Sequence, residues 1–158
     1  MVWRATWTRA RPMRPLLHRL FALDRRAWRD LLRAQIALIK AQARLRREPI
    51  GKLAIRDQID PDRVSGDPAR AQEIARAVQR AANHGLFRPF CLVRTIALRE
   101  LLLTERIEGA SIRIGVRRQG GTFQAHAWVR WGYTILGDRA EHVAQFIEVD
   151  DLRVLGRR

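Results

Sequence analysis

An α+β fold, helices first and a small antiparallel sheet after them, is predicted by three observations. Apolar residues recur at helical spacing through 25–47, from Pro68 to Asn83-His84-Gly85, and through 91–103. From Ala110 the period shortens to two, through 110–117 and 122–131, with Gly120-Gly121 between the runs as a hairpin turn. The only cysteine, Cys91, stands at the start of the third helical run, and His126 lies within the second alternating run. A thiol and an imidazole on separate elements are the raw material of a cysteine nucleophile.

The chain has 158 residues, enough for one domain with a core or for a small domain with a helical appendage. An apolar fraction of 47% is ordinary for a globular protein. The formal charge of +15 is not, and it is nearly all arginine, since Lys40 and Lys52 are the only lysines. Arginine is spread along the whole chain, which predicts a general pull toward acidic partners rather than a specific nucleic-acid site. A single cysteine excludes an intramolecular disulfide and a cysteine-based structural zinc site. No stretch approaches the roughly 18 to 20 apolar residues of a membrane span, since Lys40 and Arg44 break the best candidate. His18 and Arg19 interrupt any signal-peptide core, so a cytoplasmic protein is expected.

Residues 1–52 read as a basic N-terminal helical region, 53–67 as a linker and 68–158 as the catalytic domain. Trp3, Trp7, Pro12 and Pro15 mark the start as a poorly ordered arm or a short docking segment. Asp24 suits an N-cap, and Trp28, Leu31, Leu32, Gln35, Ile36, Ile39 and Ala43 form one face of the helix that follows. That face is expected to pack on the catalytic body, or else to meet a partner protein or an anionic membrane. Pro49 and Gly51 end the helix, and Pro61, Gly66 and Pro68 mark the linker. Asp67 can cap the next helix with Pro68 at its first position, and its small-residue face, Ala71, Ala75, Ala81 and Ala82 among others, suits close packing.

Pro89 breaks the chain before the strongly apolar third helix. A cysteine in a first helical turn meets unpaired backbone N–H groups and the positive end of the macrodipole, which favour a thiolate and can receive an oxyanion. The alternation then sets Gln124, His126, Trp128 and Arg130 on one strand face, against Phe123, Ala125, Ala127 and Val129 on the other. A third strand over 133–136 follows the turn at Gly132 and ends at Gly137-Asp138. Folded back as a hairpin, it brings Asp138 near His126, where a carboxylate can fix the imidazole tautomer. Residues 143–155 are expected to add a last strand or short helix. Glu141, His142, Asp150 and Asp151 read as surface residues, with Glu141 in reserve as the acid, and His84 as a helix-end residue.

Three runs, 91–102, 112–117 and the Phe-Gln-Ala-His-Ala-Trp-Val of 123–129, resemble the lasso-peptide biosynthesis B2 proteins, transglutaminase-like cysteine peptidases. The similarity covers about 68–152. It implies a transglutaminase/papain-like core, a cysteine-bearing helix packed on a small antiparallel sheet, with Cys91, His126 and Asp138 as the catalytic triad. It implies removal of the leader from a ribosomally made precursor, with a threonine next to last in the leader. A separate leader-recognition (B1) protein and an ATP-dependent macrolactam cyclase are the implied partners; no cofactor and no metal are required. The chain departs from the family at Arg130, where an acid often follows His-Ala-Trp-Val, and in the connection 107–111. Two other readings are a thiol acyltransferase, in which an amine resolves the thioester, and a non-catalytic arginine-rich binder of nucleic acid or anionic membrane.

Overall fold

The computed structural model describes residues 24–47 and 62–149. The expected N-terminal arm, most of the linker and the final residues 150–158, with Asp150 and Asp151, lie outside them. Three helices come first: α1 (Arg25–Arg47), α2 (Pro68–His84) and α3 (Cys91–Thr104). Strands β1 (Ala110–Gln119), β2 (Thr122–Trp131) and β3 (Thr134–Leu136) follow, then the short helix α4 (Ala140–Val143) and β4 (Ile147–Glu148). The sheet is antiparallel throughout, in the order β3-β2-β1-β4. An α+β architecture is thus the observed one; the described part of the expected last segment, 143–149, supplies the strand β4, and the short helix α4 precedes it.

The helix starts follow from their capping residues. Asp24 Oδ1 accepts from the N–H of Ala27 at 2.7 Å, and Asp67 Oδ1 accepts from that of Ala69 at 2.9 Å. Each satisfies one of the donors that a helix start leaves unpaired, and Pro68 has no N–H to leave.

Helix α1 packs on both α2 and α3 and shares their core through Leu38 and a set of alanines, and through little of the large apolar face expected from the sequence. Asp30, Ala34, Ala37, Leu38 and Ala41 are buried, whereas Trp28, Leu32, Ile36 and Ile39 are exposed. The alanines oppose the small-residue face of α2, where Ala71, Ala75, Ala81 and Ala82 are buried. Two alanine-rich faces allow a close approach that tryptophan and isoleucine would prevent. A network of charges closes the same interface. Arg70, on α2, donates to both oxygens of the buried Asp30 on α1, to Glu73, and to Glu105 just beyond α3. Arg33 of α1 also donates to Glu105. Hydrogen bonds from Arg70 and then Arg33 hold the Glu105 carboxyl down at about 2, and the Arg70 hydrogen bonds keep Asp30 below its ordinary value.

Helix α3 lies against β1 and β2, and joins Val93, Ile96, Ala97, Leu98 and Leu102 to Val129, Trp131 and Leu136 in the core. Its first turn stays at the margin of that core, with Cys91 half-buried. Trp131 Nε1 donates to the carbonyl of Glu108 at 2.8 Å, which fixes the connection between α3 and β1 to the end of β2.

Candidate active site

The site begins with the start of α3. Phe90 occupies the N-cap position and makes no side-chain capping bond. The first backbone bond of this helix runs from Arg94 N–H to the Phe90 carbonyl, so the N–H groups of Cys91, Leu92 and Val93 have no partner within it. Arg94 Nε donates to the carbonyl of Pro89 at 3.1 Å and braces the approach to Cys91. The donors that a capping serine or aspartate would occupy are left to whatever binds beside the thiol.

His126 sits in β2, paired across the ladder with Gly115 of β1. Leu136 of β3 pairs with Val129, so the chain just past β3 runs back toward His126, and Gly137 makes the turn at a φ of 76°. A side chain at that glycine would sit 2.9 Å from Leu98 Cδ2, and Gln79 of α2 donates to its carbonyl at 2.9 Å. Asp138 is therefore delivered by a tightly fixed turn. Its Oδ2 lies 2.5 Å from His126 Nε2. Burial alone would push the Asp138 carboxyl up. Hydrogen bonds from His126, the Arg139 N–H and His142 outweigh it and hold the group below its ordinary value.

That direction fixes the imidazole tautomer. An ionised carboxylate only accepts, so His126 Nε2 carries a proton, and in the neutral ring Nδ1 keeps the lone pair. The ring is held by its neighbours: Trp128 stacks at 6.2 Å between centroids and Phe146 lies at 5.1 Å. The Trp128 N–H is buried without a hydrogen-bond partner among the described residues, so the ring gives shape and shelter rather than a polar tie.

Cys91, His126 and Asp138 line one cleft of about 390 Å³, together with Arg94, Trp128 and Arg139. Cys91 Sγ makes no hydrogen bond to His126 or to any other described residue, and thiol–imidazole contacts of this kind commonly tighten only with substrate present. His142, read from the sequence as a surface residue, also belongs to the site. Its Nδ1 lies 3.2 Å from Asp138 Oδ1, and its ring meets that of His126 edge-on at 4.7 Å. The Asp138–His142 spacing of one helical turn was the available signal, but α4 is a single turn with no periodicity to reveal it. Glu141, the reserve acid, is exposed and bonds through its backbone carbonyl to Gln145. His84 lies at the exposed end of α2. Arg130 pairs with Glu148 of β4, which also takes Arg113 at 3.2 Å, so the basic residue after His-Ala-Trp-Val is met by an acid from another strand.

A profile of the transglutaminase-like superfamily matches residues 19–149, most of the chain including α1, and the protein belongs to that superfamily. Its members are thiol acyltransferases and cysteine-peptidase-like proteins, so an enzyme of that general type fits both fold and sequence. No curated protein and no solved structure matches the chain. Among the described residues no helix is long and apolar enough to cross a membrane.

Proposed function

We propose that this protein is a cysteine peptidase that removes the leader from a ribosomally made lasso-peptide precursor. The observation that carries the reading is the pairing of His126 Nε2 with an ionised Asp138 in the cleft that Cys91 also lines. It leaves His126 Nδ1 as the free base and an uncapped helix start as the oxyanion donor.

In this mechanism His126 Nδ1 takes the Cys91 proton, and Sγ attacks the carbonyl of the last leader residue. The oxyanion is received by backbone N–H groups of the first turn of α3. His126 returns the proton to the leaving amine, the core peptide departs, and water opens the thioester under the same base. No metal or cofactor takes part. The released α-amine is the group that an ATP-dependent cyclase would join into a macrolactam. The substrate assignment rests on the resemblance of 91–102, 112–117 and 123–129 to the B2 proteins. The match to the superfamily supports only the broader class.

The chain is proposed to work with a separate leader-recognition protein. The surface offered for it is the exposed stripe Trp28, Leu32, Ile36 and Ile39 of α1, with Arg29 and Lys40 alongside, which suits a partner with an apolar ridge and an acidic rim. The test is incubation of precursor and recognition protein with the wild type, Cys91→Ala and His126→Ala. The expected products are the leader with a free carboxylate and the intact core peptide, from the wild type alone. Leader coupled to an amine would instead identify an acyltransferase. Turnover retained in Cys91→Ala would sink both.

A further inference from the structure

Acyl transfer needs one histidine in this cleft, and the cleft holds two. His126 comes from β2, Asp138 from the turn after β3 and His142 from α4. One ligand atom of each lies within 4.8 Å of the others. The two rings are set before anything binds: Phe146 packs against His126 at 5.1 Å and His142 at 5.4 Å, while the Arg139 N–H holds Asp138 Oδ1 at 2.7 Å.

We propose that His126, Asp138 and His142 form a site for a zinc-class divalent cation, and that filling it switches the thiol chemistry off. Two imidazoles and one carboxylate make a donor set that suits such a cation, with a fourth position open toward the cleft. Tetrahedral bonds of about 2.0–2.2 Å place ligand atoms roughly 3.4 Å apart. His142 Nδ1 and Asp138 Oδ1 already stand at 3.2 Å, and His126 Nε2 and Asp138 Oδ2, 2.5 Å apart, need only separate slightly to admit the ion. A hard cation such as magnesium prefers six oxygens and is poorly served here. Arg94 and Arg139 line the same cleft and oppose the positive charge, which sets binding in a reversible rather than a permanent range.

The off-switch follows from the tautomer. A cation on His126 Nε2 displaces the proton given to Asp138, and in the neutral ring that proton moves to Nδ1. The nitrogen that would accept the Cys91 proton is then already protonated, and Asp138 is engaged with the metal. This consequence rests on the peptidase reading, whereas binding rests on the cluster alone.

The experiment titrates the chelator-stripped full chain with zinc chloride by calorimetry, with magnesium as the control. One equivalent is expected to bind, with affinity reduced at least tenfold in His142→Ala, His142→Gln and Asp138→Ala but kept in Cys91→Ala and His84→Ala. Nitrogen NMR of the wild-type imidazoles needs no variant, and one equivalent should move the His126 and His142 resonances together. No zinc uptake, uptake lost in Cys91→Ala or His84→Ala but not in His142→Ala, or unmoved His142 resonances would overturn the site. Uptake at these residues without slower Cys91 alkylation would overturn the switch while leaving the peptidase reading to its own cleavage test.

Discussion

Gly115 stands directly across the β1–β2 ladder from His126, and the space its side chain would need is taken by Trp128 and Phe146. A Cβ at Gly115 would come within 2.8 Å of Trp128 Cη2 and 2.9 Å of Phe146 Cβ, the two rings that hold His126. Gly115→Val is expected to push those rings aside and cost about 1–3 kcal/mol of stability, as overpacking does. Thermal unfolding measures the first effect. The alkylation rate of Cys91 at a temperature where the variant remains folded measures the second, and that rate should fall. Unchanged values of both would mean that the pocket around His126 is not tightly packed.

Asp138 acts through His126, so its loss should be milder than loss of the thiol. Asp138→Asn keeps the shape but can offer His126 Nε2 a donor, which removes the preference for the productive tautomer. Leader cleavage should fall on the order of 10²-fold in kcat. A variant as fast as the wild type would show that the tautomer is fixed by something other than Asp138.

The charges between the helices give a pH dependence of stability. Glu105 is held at about 2 against an ordinary 4.5, and Asp30 is shifted in the same direction. Depressed carboxyls contribute stability that is fully present above their unfolded-state values and is lost as pH falls through the folded ones. The wild type should therefore lose stability as pH falls from about 4.5 toward 2. Arg70→Met leaves the buried Asp30 with only the longer contact to Arg33 at 3.8 Å and should cost roughly 3 kcal/mol at neutral pH, with a flatter profile across that window. Denaturant midpoints against pH decide it. A variant that follows the wild-type profile would place the acid sensitivity elsewhere.

On α1 the outward stripe is proposed for the recognition protein, so Leu32→Glu and Ile39→Glu should change stability by less than about 0.5 kcal/mol. The same substitutions should slow cleavage that depends on the recognition protein, while direct alkylation of Cys91 stays at the wild-type rate. Equal cleavage by the variants would remove α1 as the docking surface.

How far the sequence reveals this molecule differs from element to element. The helices and strands were legible because their periods differ, and because Asp24, Asp67 and Gly120-Gly121 are local signals whose chemistry needs no distant partner. The approach of Asp138 to His126 was also legible, since a tight Gly132 turn leaves a returning strand little freedom of register. The buried face of α1 was not. That helix carries two apolar stripes, one of large residues and one of alanines around Leu38, and only the alanine face of α2 decides between them. Arg70 gave no sign of its buried partners, because a charged residue reads as surface until Asp30 and Glu105 arrive from other helices. His142 was hidden for the same reason, since its meaning depends on where Asp138 is delivered.

The central claim is that Cys91 is a nucleophile served by His126. The direct measurement is the alkylation rate of the only thiol in the chain, at fixed neutral pH with chelator present, in the wild type and in His126→Ala. A wild-type rate at least tenfold above that of a folded His126→Ala is the predicted result. Equal rates in the two proteins would contradict the account.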